Sequence, residues 1–234
     1  AEIEAVVYSE ENHPRDILGP RVTEDGILIQ AFFPGATRAA VHTIRDGKQT
    51  EMVCEDEAGF FAVLLPGKKI PSYTLIYWDG DGNQMEHYDP YAYPMQFTEQ
   101  EQKQFENGIC YSIYEKLGAH PVKIDGVSGV YFAVWAPNAA RVSVVGDFNH
   151  WDGRVYQMQR LSVSGIYELF IPQIPVGSLY KYELKLKDGL TYLKADPYAN
   201  QAELRPATAS VVADLTQYVW LSLIHISEPT RLAL

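Results

Sequence analysis

The feature that most restricts the fold of this chain is an internal repeat. Residues Gly26–Val41 and Gly129–Val144 align without a gap, and Pro34 falls opposite Pro137. In both copies the side chains alternate with a period of two on either side of the proline, which is the pattern of two short strands joined by a turn. The chain is therefore predicted to contain two copies of one β-unit.

The correspondence continues downstream in the same order. The further matches are Arg38 with Arg141, Gly59–Pro66 with Gly165–Pro172, Tyr73–Tyr77 with Tyr180–Leu184, and Asp89–Ala92 with Asp196–Ala199. Short strands separated by Gly and Asp turns are typical of β-sandwiches. We therefore expect an all-β fold of two tandem immunoglobulin-like β-sandwiches joined by a short helical connector.

The segment between the copies is polar and favours a helix. Thr98 and Glu101 have the spacing of a capping box, and Asn107–Gly108 predicts the end of the helix. Because the segment is rich in aromatic residues, we expect it to pack, unlike a flexible Gly/Ser linker. The predicted divisions are an N-terminal sandwich at 1–96, the connector at 97–120, the second sandwich at 121–215 and a remaining segment at 216–234.

Composition narrows the class of function. The 234 residues are 47% hydrophobic, and the formal net charge is -11 with a pI near 5.0, which argues against nucleic acid as a partner. Cys54 and Cys110 are too few for a disulfide framework, and the sequence shows neither a signal peptide nor an apolar run long enough to span a membrane. We expect a cytoplasmic protein without a membrane partner.

One loop distinguishes the second copy from the first. Gly146–Gly153 places Trp151 among Asn and Asp side chains at the end of a strand, where the first copy has Arg45–Lys48. A pyranose has an apolar face and a rim of hydroxyls, which suit an aromatic ring flanked by amide and carboxylate groups. The competing interpretation is a tryptophan buried in the core of an ordinary β-domain. If one copy binds sugar, we expect it to be the second.

The end of the chain is interpreted separately. Leu221–Arg231 matches, residue for residue, the translation of a transposase sequencing adapter. We therefore expect residues from 221 onward to be non-native and leave them out of the fold. The preceding residues of 216–234 are expected to be the stub of a further domain.

Six motifs of the chain occur in a characteristic order. They are Tyr114–His120, Asp125–Asn138, Val145–Gly153, Tyr180–Glu183, Leu193–Tyr198 and Arg205–Ser210. Together they resemble the amino-terminal region of bacterial 1,4-α-glucan (glycogen) branching enzymes. The resemblance covers about Pro14 to Trp220, with the first copy similar to the extra N-terminal domain of the longer enzymes and the second to a family-48 carbohydrate-binding module.

This resemblance implies a parent enzyme of glycoside hydrolase family 13 that acts in glycogen biosynthesis. Such an enzyme cleaves α-1,4-glucan and forms α-1,6 branches by a retaining mechanism with two carboxylates. Its catalytic (β/α)8 barrel needs about 250 residues of its own, and the barrel signatures Asp-x-x-x-Asn-His, Gly-x-Arg-x-Asp and His-Asp are not found in this sequence. The fragment is therefore expected to have no catalytic residues and no activity. Its expected partners are α-1,4-glucan or glycogen and, in cis, the missing barrel.

The resemblance also suggests which residues contact glucan. Trp151 would stack on a glucose ring, Asn149 and Lys181 would bond hydroxyls, and Asp188 of the Asp-Gly turn with Tyr192 would form the far wall. Glycogen-targeting modules of this kind place a second Trp just after that turn, and this chain has no Trp there. Binding is therefore expected to be weaker.

Each of these side chains also has a structural interpretation. Lys181 is also explained as a solvated strand residue, and Asn149 and Asp188 as turn formers. Trp135 is predicted to be a core residue. His120 and His150 have no second ligand at metal-binding spacing, so no metal and no cofactor are expected.

Two other interpretations of the whole chain stay open. The first is the N-terminal module of another family-13 enzyme, such as isoamylase, pullulanase or a trehalose-forming hydrolase. The second is a non-catalytic glycogen-targeting protein similar to the β-subunit of an energy-sensing kinase. The connector from Phe97 to His120 favours the branching enzymes.

Overall fold

The structure is a computed structural model that describes residues 2–161 and 164–217. The predicted non-native tail from residue 221 lies outside the described residues. In the described part the two α-helices are α1 (Glu2–Val7) and α2 (Glu99–Glu106), and neither is long and apolar enough to cross a membrane. The strands are β1 (Gly19–Val22), β2 (Ile27–Phe32), β3 (Arg38–Thr43), β4 (Lys48–Glu51), β5 (Val53–Asp56), β6 (Phe60–Leu65), β7 (Tyr73–Trp78), β8 (Gln84–His87), β9 (Gly118–Ile124), β10 (Val127–Trp135), β11 (Ala139–Gly146), β12 (Gln159–Arg160), β13 (Ile166–Pro172), β14 (Leu179–Leu186), β15 (Thr191–Lys194), β16 (Gln201–Ala202) and β17 (Ser210–Val211).

The strands form antiparallel sheets, two in each half of the chain. In the first half, the sheet β1-β2-β6-β5 packs on the sheet β4-β3-β7-β8. Inward residues of β2 and β6, such as Ile29 and Phe61, meet Val41 and Leu75 from the facing sheet, as the period of two requires. The first half is therefore a β-sandwich with its own core.

The second half repeats this arrangement. The sheet β12-β13-β10-β9 faces the sheet β11-β14-β17-β16, and β15 adds to β14. Phe132 and Ile171 from one sheet belong to the same buried cluster as Val144 and Tyr182 from the other. The predicted all-β class with two tandem sandwiches is confirmed.

The repeat extends to a buried hydrogen-bonded pair in each sandwich. The Tyr73 hydroxyl donates to Asp89 at 2.6 Å, and the Tyr180 hydroxyl donates to Asp196 at 2.6 Å. In both pairs, the second carboxylate oxygen of the aspartate accepts the backbone N–H of the residue two positions later, Tyr91 or Tyr198. Burial raises the pKa of Asp89 to about 6 and also raises the pKa of Asp196. The two copies therefore share a polar contact in their cores as well as a strand pattern.

The connector is fastened to the second sandwich. The capping box is present, since Thr98 Oγ1 accepts the N–H of Glu101 at 3.2 Å and the Glu101 carboxylate accepts the N–H of Thr98 at 2.8 Å. Phe97, Leu117 and, less deeply, Phe105 pack on the outer face of the sheet that contains β10 and β13. The connector therefore packs, as its aromatic content predicts.

The N-terminal segment and the end of the first sandwich both contact one edge of the second sandwich. The Gln157 side chain donates to the carbonyl of Val6 at 2.9 Å, and the N–H of Arg160 donates to the carbonyl of Asn12 at 2.8 Å. From the end of the first sandwich, the Tyr91 hydroxyl donates to the carbonyl of Gln157 at 3.0 Å. The edge of the second sandwich around residue 157 is therefore bonded both to the N-terminus and to the first sandwich.

Candidate functional site

The loop after β11 presents Trp151 in an unusual backbone conformation. Asp147–Asn149 forms one 3₁₀ turn, and His150 and Trp151 then both adopt left-handed geometry with φ of 54° and 60°. Left-handed geometry costs a non-glycine residue roughly 1–2 kcal/mol, so contacts elsewhere in the loop must hold it. The N–H of Trp151 donates to the carbonyl of Gly146 at 3.0 Å, which closes the loop onto the end of the strand.

Asn149 supplies most of the remaining contacts. Its side chain is buried, its carbonyl accepts the N–H of Gly146 at 2.9 Å, and its amide donates to the carbonyls of Val144 at 3.0 Å and Asp152 at 3.1 Å. Both amide hydrogens are therefore used inside the loop. The described contacts make Asn149 the anchor that positions Trp151, and a direct bond from Asn149 to a sugar hydroxyl stays a prediction.

The indole of Trp151 is oriented by a second side chain. Its Nε1 donates to Asp147 Oδ1 at 2.8 Å, and Asp147 itself is exposed. Trp151 is only partly buried and does not belong to the core clusters of the described residues. The ring is therefore held at the surface in one orientation, as a stacking platform requires.

Lys181 lies on the sheet face that this loop covers. It pairs with Val145 in the β11–β14 ladder, and along β14 its side chain shares a face with Glu183. The loop returns over the same face, since a Cβ on Gly153 would lie 1.9 Å from the Glu183 carboxylate. The Lys181 ammonium donates to Thr208 Oγ1 at 2.8 Å. The structure thus brings Lys181 and the Trp151 loop to one face of the module.

The turn after β14 contains the other two predicted residues. Asp188 is exposed and accepts the N–H of Leu190 at 3.1 Å, which shapes the turn into β15. Tyr192 pairs with the inward residue Leu184, whereas Thr191 pairs with Lys185. Because paired residues share a face, Thr191 lies on the Lys181 side and Tyr192 on the opposite side. The structure does not bring the Tyr192 ring to Lys181.

Trp135 is the tryptophan for which the sequence prediction is wrong. Its side chain is 53% exposed, its Nε1 donates to the carbonyl of Ser164 at 2.9 Å, and the Phe105 ring meets it edge-on at 5.9 Å. It shares the outer face of β10 with Tyr131 and Ala133, but it is the last residue of the strand. The connector covers the first two and leaves Trp135 half open.

Ionisation near the loop is dominated by one ion pair. Burial alone would raise the pKa of Asp152, but hydrogen bonds from the side chain and backbone of Arg154 outweigh it and lower the pKa. Arg154 Nη2 lies 2.7 Å from Asp152 Oδ2. No group of three or more metal-ligating side chains occurs within residues 2–161 and 164–217.

Comparison with known proteins agrees with the two-sandwich architecture. Residues 1–91 match the family described as "alpha-1,4-glucan branching enzyme GlgB, N-terminal domain", and residues 116–199 match "Carbohydrate-binding module 48 (Isoamylase N-terminal domain)". The chain corresponds to the amino-terminal region of GlgB branching enzymes. The sequence-based resemblance is confirmed for both sandwiches of this GlgB region.

Individual relatives give the extent of the match. The 1,4-alpha-glucan branching enzyme GlgB of Synechococcus sp. (strain JA-3-3Ab) is 44% identical over 220 residues, which cover 88% of this chain and 29% of that protein. The GlgB of Nitrosococcus oceani (strain ATCC 19707 / BCRC 17464 / JCM 30415 / NCIMB 11848 / C-107) is 41% identical over 220 residues, covering 93% and 29%. This GlgB region therefore spans about 29% of the length of the curated relatives that it matches.

Solved structures add little to the GlgB assignment. A pullulanase from Anoxybacillus sp. LM18-11 aligns with 85% of this chain and 28% of its own, with 17% identity and a TM-score of 0.37. A similarity of this size carries no argument about function. The assignment depends on the two matched families and on the order in which they occur.

Proposed function

We propose that this chain is the glucan-holding part of a glycogen branching enzyme. The parent enzyme would cleave α-1,4-glucan and form α-1,6 branches, with its catalysis in a barrel that the described residues do not include. The two sandwiches would hold α-glucan and position that barrel in cis. The matched GlgB and family-48 regions support this proposal, because they occur in the same order as in full-length relatives.

The observation that supports glucan binding best is the fixed, partly exposed indole of Trp151, in a loop whose Gly153 returns over the Lys181–Glu183 face of β14. A ring oriented by Asp147 offers an apolar surface to the C–H face of glucose without further ordering. Lys181 supplies a polar group for the hydroxyl rim, whereas Asp188 lies in the turn at the other end of β14 and would contact only a more distant glucose unit of the chain. Since the second Trp of glycogen-targeting modules is replaced here and Tyr192 faces away, we propose a single-platform site of modest affinity.

Both cysteines support a reducing compartment. Cys54 and Cys110 are free thiols, and Cys54 is exposed. Exposed free thiols stay reduced in compartments that are kept reducing, such as the cytosol. We accordingly place the protein in the cytoplasm, where glycogen is made.

Replacing Trp151 with alanine tests the binding proposal. The association constant for glycogen, measured from retention in affinity electrophoresis, is expected to fall by about 5- to 150-fold. This range is the equivalent of roughly 1–3 kcal/mol for a lost stacking platform. The Tm is expected to stay nearly unchanged, because the indole is partly exposed and its side-chain hydrogen bond goes to exposed Asp147. Alanine retains the same left-handed backbone cost.

Trp135→Ala is the matched control, because Trp135 is also a surface tryptophan but lies on the other sheet. Its retention on glycogen is expected to equal that of the unmodified chain. If Trp151→Ala lowered the Tm sharply and left retention intact, Trp151 would be a structural residue and the proposed site would be wrong.

The absence of catalysis is tested with amylose. Incubating the chain with amylose is expected to leave the iodine colour unchanged, because the sequence holds none of the barrel signatures that supply the two carboxylates. A heat-denatured sample is the control for adsorption of amylose to protein. A steady fall in iodine absorbance with the native chain alone would contradict the proposed inactivity.

A further inference from the structure

A cavity lies where the two sandwiches meet. It has a volume of about 310 Å³, at the lower end of the roughly 300–1,000 Å³ common for small-molecule sites. One wall comes from the first sandwich, at Phe33, Tyr77 and His87. The other comes from the loop that carries Trp151 and the residues just after it, at Phe148 and Tyr156. We call this cavity the inter-sandwich cleft.

The walls of the inter-sandwich cleft are aromatic and ordered. Phe33 stacks on Tyr77 with centroids 4.4 Å apart and planes at 16°, and Tyr77 stacks on His87 at 5.7 Å and 22°. Across the cleft, the Phe148 and Tyr156 rings lie 6.0 Å apart and are tilted by 45°. These contacts hold the rings in place before any ligand arrives, which reduces the entropy that binding would cost.

Two phenol groups in the cleft have unused hydrogen-bonding capacity. Neither the Tyr77 hydroxyl nor the Tyr156 hydroxyl has a hydrogen-bond partner within the described ranges, although the two groups are close enough to interact electrostatically. Burial raises the pKa of Tyr156 to about 12, so this hydroxyl stays a neutral donor and acceptor. Partly buried hydroxyls without protein partners favour a ligand that brings its own hydroxyls.

The charges of the lining select against ionic ligands. The lining of the cleft includes no Lys or Arg, and burial lowers the pKa of His87, so this lining offers phosphate or carboxylate no permanent cation. Asp89 is occupied by the Tyr73 hydroxyl and by a backbone N–H, and Asp152 is paired with Arg154. A neutral ring with one apolar face and several hydroxyls fits what remains.

We propose that the inter-sandwich cleft is a second binding site for linear α-1,4-glucan and takes one or two glucose units of a chain. This inference rests on the proposed function, since it assigns the same class of ligand to a different surface. Phe148 and His150 line the cleft, whereas Trp151 does not. The loop between β11 and residue 157 would then contact glucan on both of its sides.

The experiment titrates maltoheptaose into the Trp151→Ala chain, in which the proposed module site is removed. Ring signals of histidines are followed by NMR, because His87 and His150 line the cleft and His120 lies outside it. We expect the His87 and His150 signals to shift with increasing maltoheptaose while the His120 signals stay in place. A calorimetric titration of the same chain is expected to show residual weak binding.

The second variant removes only the two free hydroxyls. Tyr77→Phe with Tyr156→Phe, in the Trp151→Ala background, is expected to weaken the residual affinity by about tenfold. Tyr111→Phe is the matched control, because Tyr111 is 87% exposed and outside the cleft, and it should change nothing.

The outcomes separate the two proposals. If the unmodified chain binds maltoheptaose but the Trp151→Ala chain shows neither residual binding nor shifts at His87 and His150, the cleft is not a glucan site and the module site stands. If residual binding survives the double Phe variant at full strength, its location is not the cleft. If the unmodified chain binds no glucan, the proposed function fails, and this inference fails with it.

Discussion

Replacing Arg141 with alanine is expected to lower the free energy of unfolding by about 3–5 kcal/mol, the range for breaking a buried ion pair from one side. The Arg141 side chain is 3% exposed, and its Nη1 lies 2.9 Å from Glu183 Oε1. The same guanidinium donates to Ser143 Oγ at 2.9 Å and to the carbonyl of Ser9 at 3.2 Å. Urea denaturation followed by circular dichroism measures the loss.

The large effect follows from what the alanine variant leaves behind. Glu183 would keep its negative charge at a largely buried position without a partner, and the Ser9 carbonyl would lose its donor. Ser9 belongs to the N-terminal segment that crosses the second sandwich, so we also expect this segment to loosen. Faster amide exchange in α1 would report that loosening.

The repeat supplies the control. Arg38 occupies the position equivalent to Arg141, but its side chain is 59% exposed, pairs with Glu51 at 2.9 Å and lies 4.8 Å from the Trp78 ring. Exposed pairs of this kind contribute about 0–1 kcal/mol, so Arg38→Ala is expected to cost no more than that. Equal losses in the two variants would show that burial of the pair is not what stabilises the second sandwich.

The sequence predicts what depends on local pattern. The period of two and the Pro-centred turns identify the paired sandwiches, and the repeat aligns Asp89 with Asp196 before either is seen to accept a tyrosine hydroxyl. The capping box at Thr98 is predicted for the same reason, since its contacts lie within three residues. Each of these features is decided by neighbours that are close in the chain.

The candidate site depends more on the register between strands and on which segments pack over each sheet. Neither can be deduced from the side-chain pattern of one strand. The face of Tyr192 follows from its pairing with Leu184 across a turn, and a shift of one residue would reverse it. The exposure of Trp135 follows from where the connector stops covering β10. The sequence therefore identifies the Trp151 loop, but it does not establish which of the other residues share its face.

Contacts between residues far apart in the chain are the other reason why the structure differs from what the sequence predicts. The aligned arginines look equivalent in sequence, but only Arg141 is covered, because the N-terminal segment passes over the second sandwich. No pattern in residues 2–12 indicates which sandwich they contact. The inter-sandwich cleft is likewise formed by residues more than fifty positions apart, so it becomes visible only in the folded chain.

Replacing Glu168 with alanine is the second variant with a large expected effect, about 3 kcal/mol at neutral pH. Glu168 is 1% exposed, and its carboxylate accepts the N–H groups of Gln96 and Phe97, each at 3.2 Å, and the hydroxyl of Tyr131. Alanine would leave three donors without an acceptor, at roughly 1–3 kcal/mol for each that stays buried. Glu115→Ala, at an exposed position, is expected to stay within about 0.5 kcal/mol.

The pH dependence separates this role from simple packing. Burial raises the pKa of Glu168 above its ordinary value, against the opposing hydrogen bonds and Arg15. Between the unfolded and folded pKa values the native state binds more protons, so the contribution of Glu168 to stability falls as pH rises through that window and is constant above it. Glu168→Gln removes the ionisation, so its stability deficit relative to the unmodified chain is expected to be larger at pH 4 than at pH 7.

Amide exchange at Gln96 and Phe97 reports whether the connector has been released. A stability deficit that is independent of pH, with both amides still protected, would contradict this role of Glu168. Because Phe97 begins the connector and Gln96 directly precedes it, the buried carboxylate is what couples the connector to the sheet of the second sandwich.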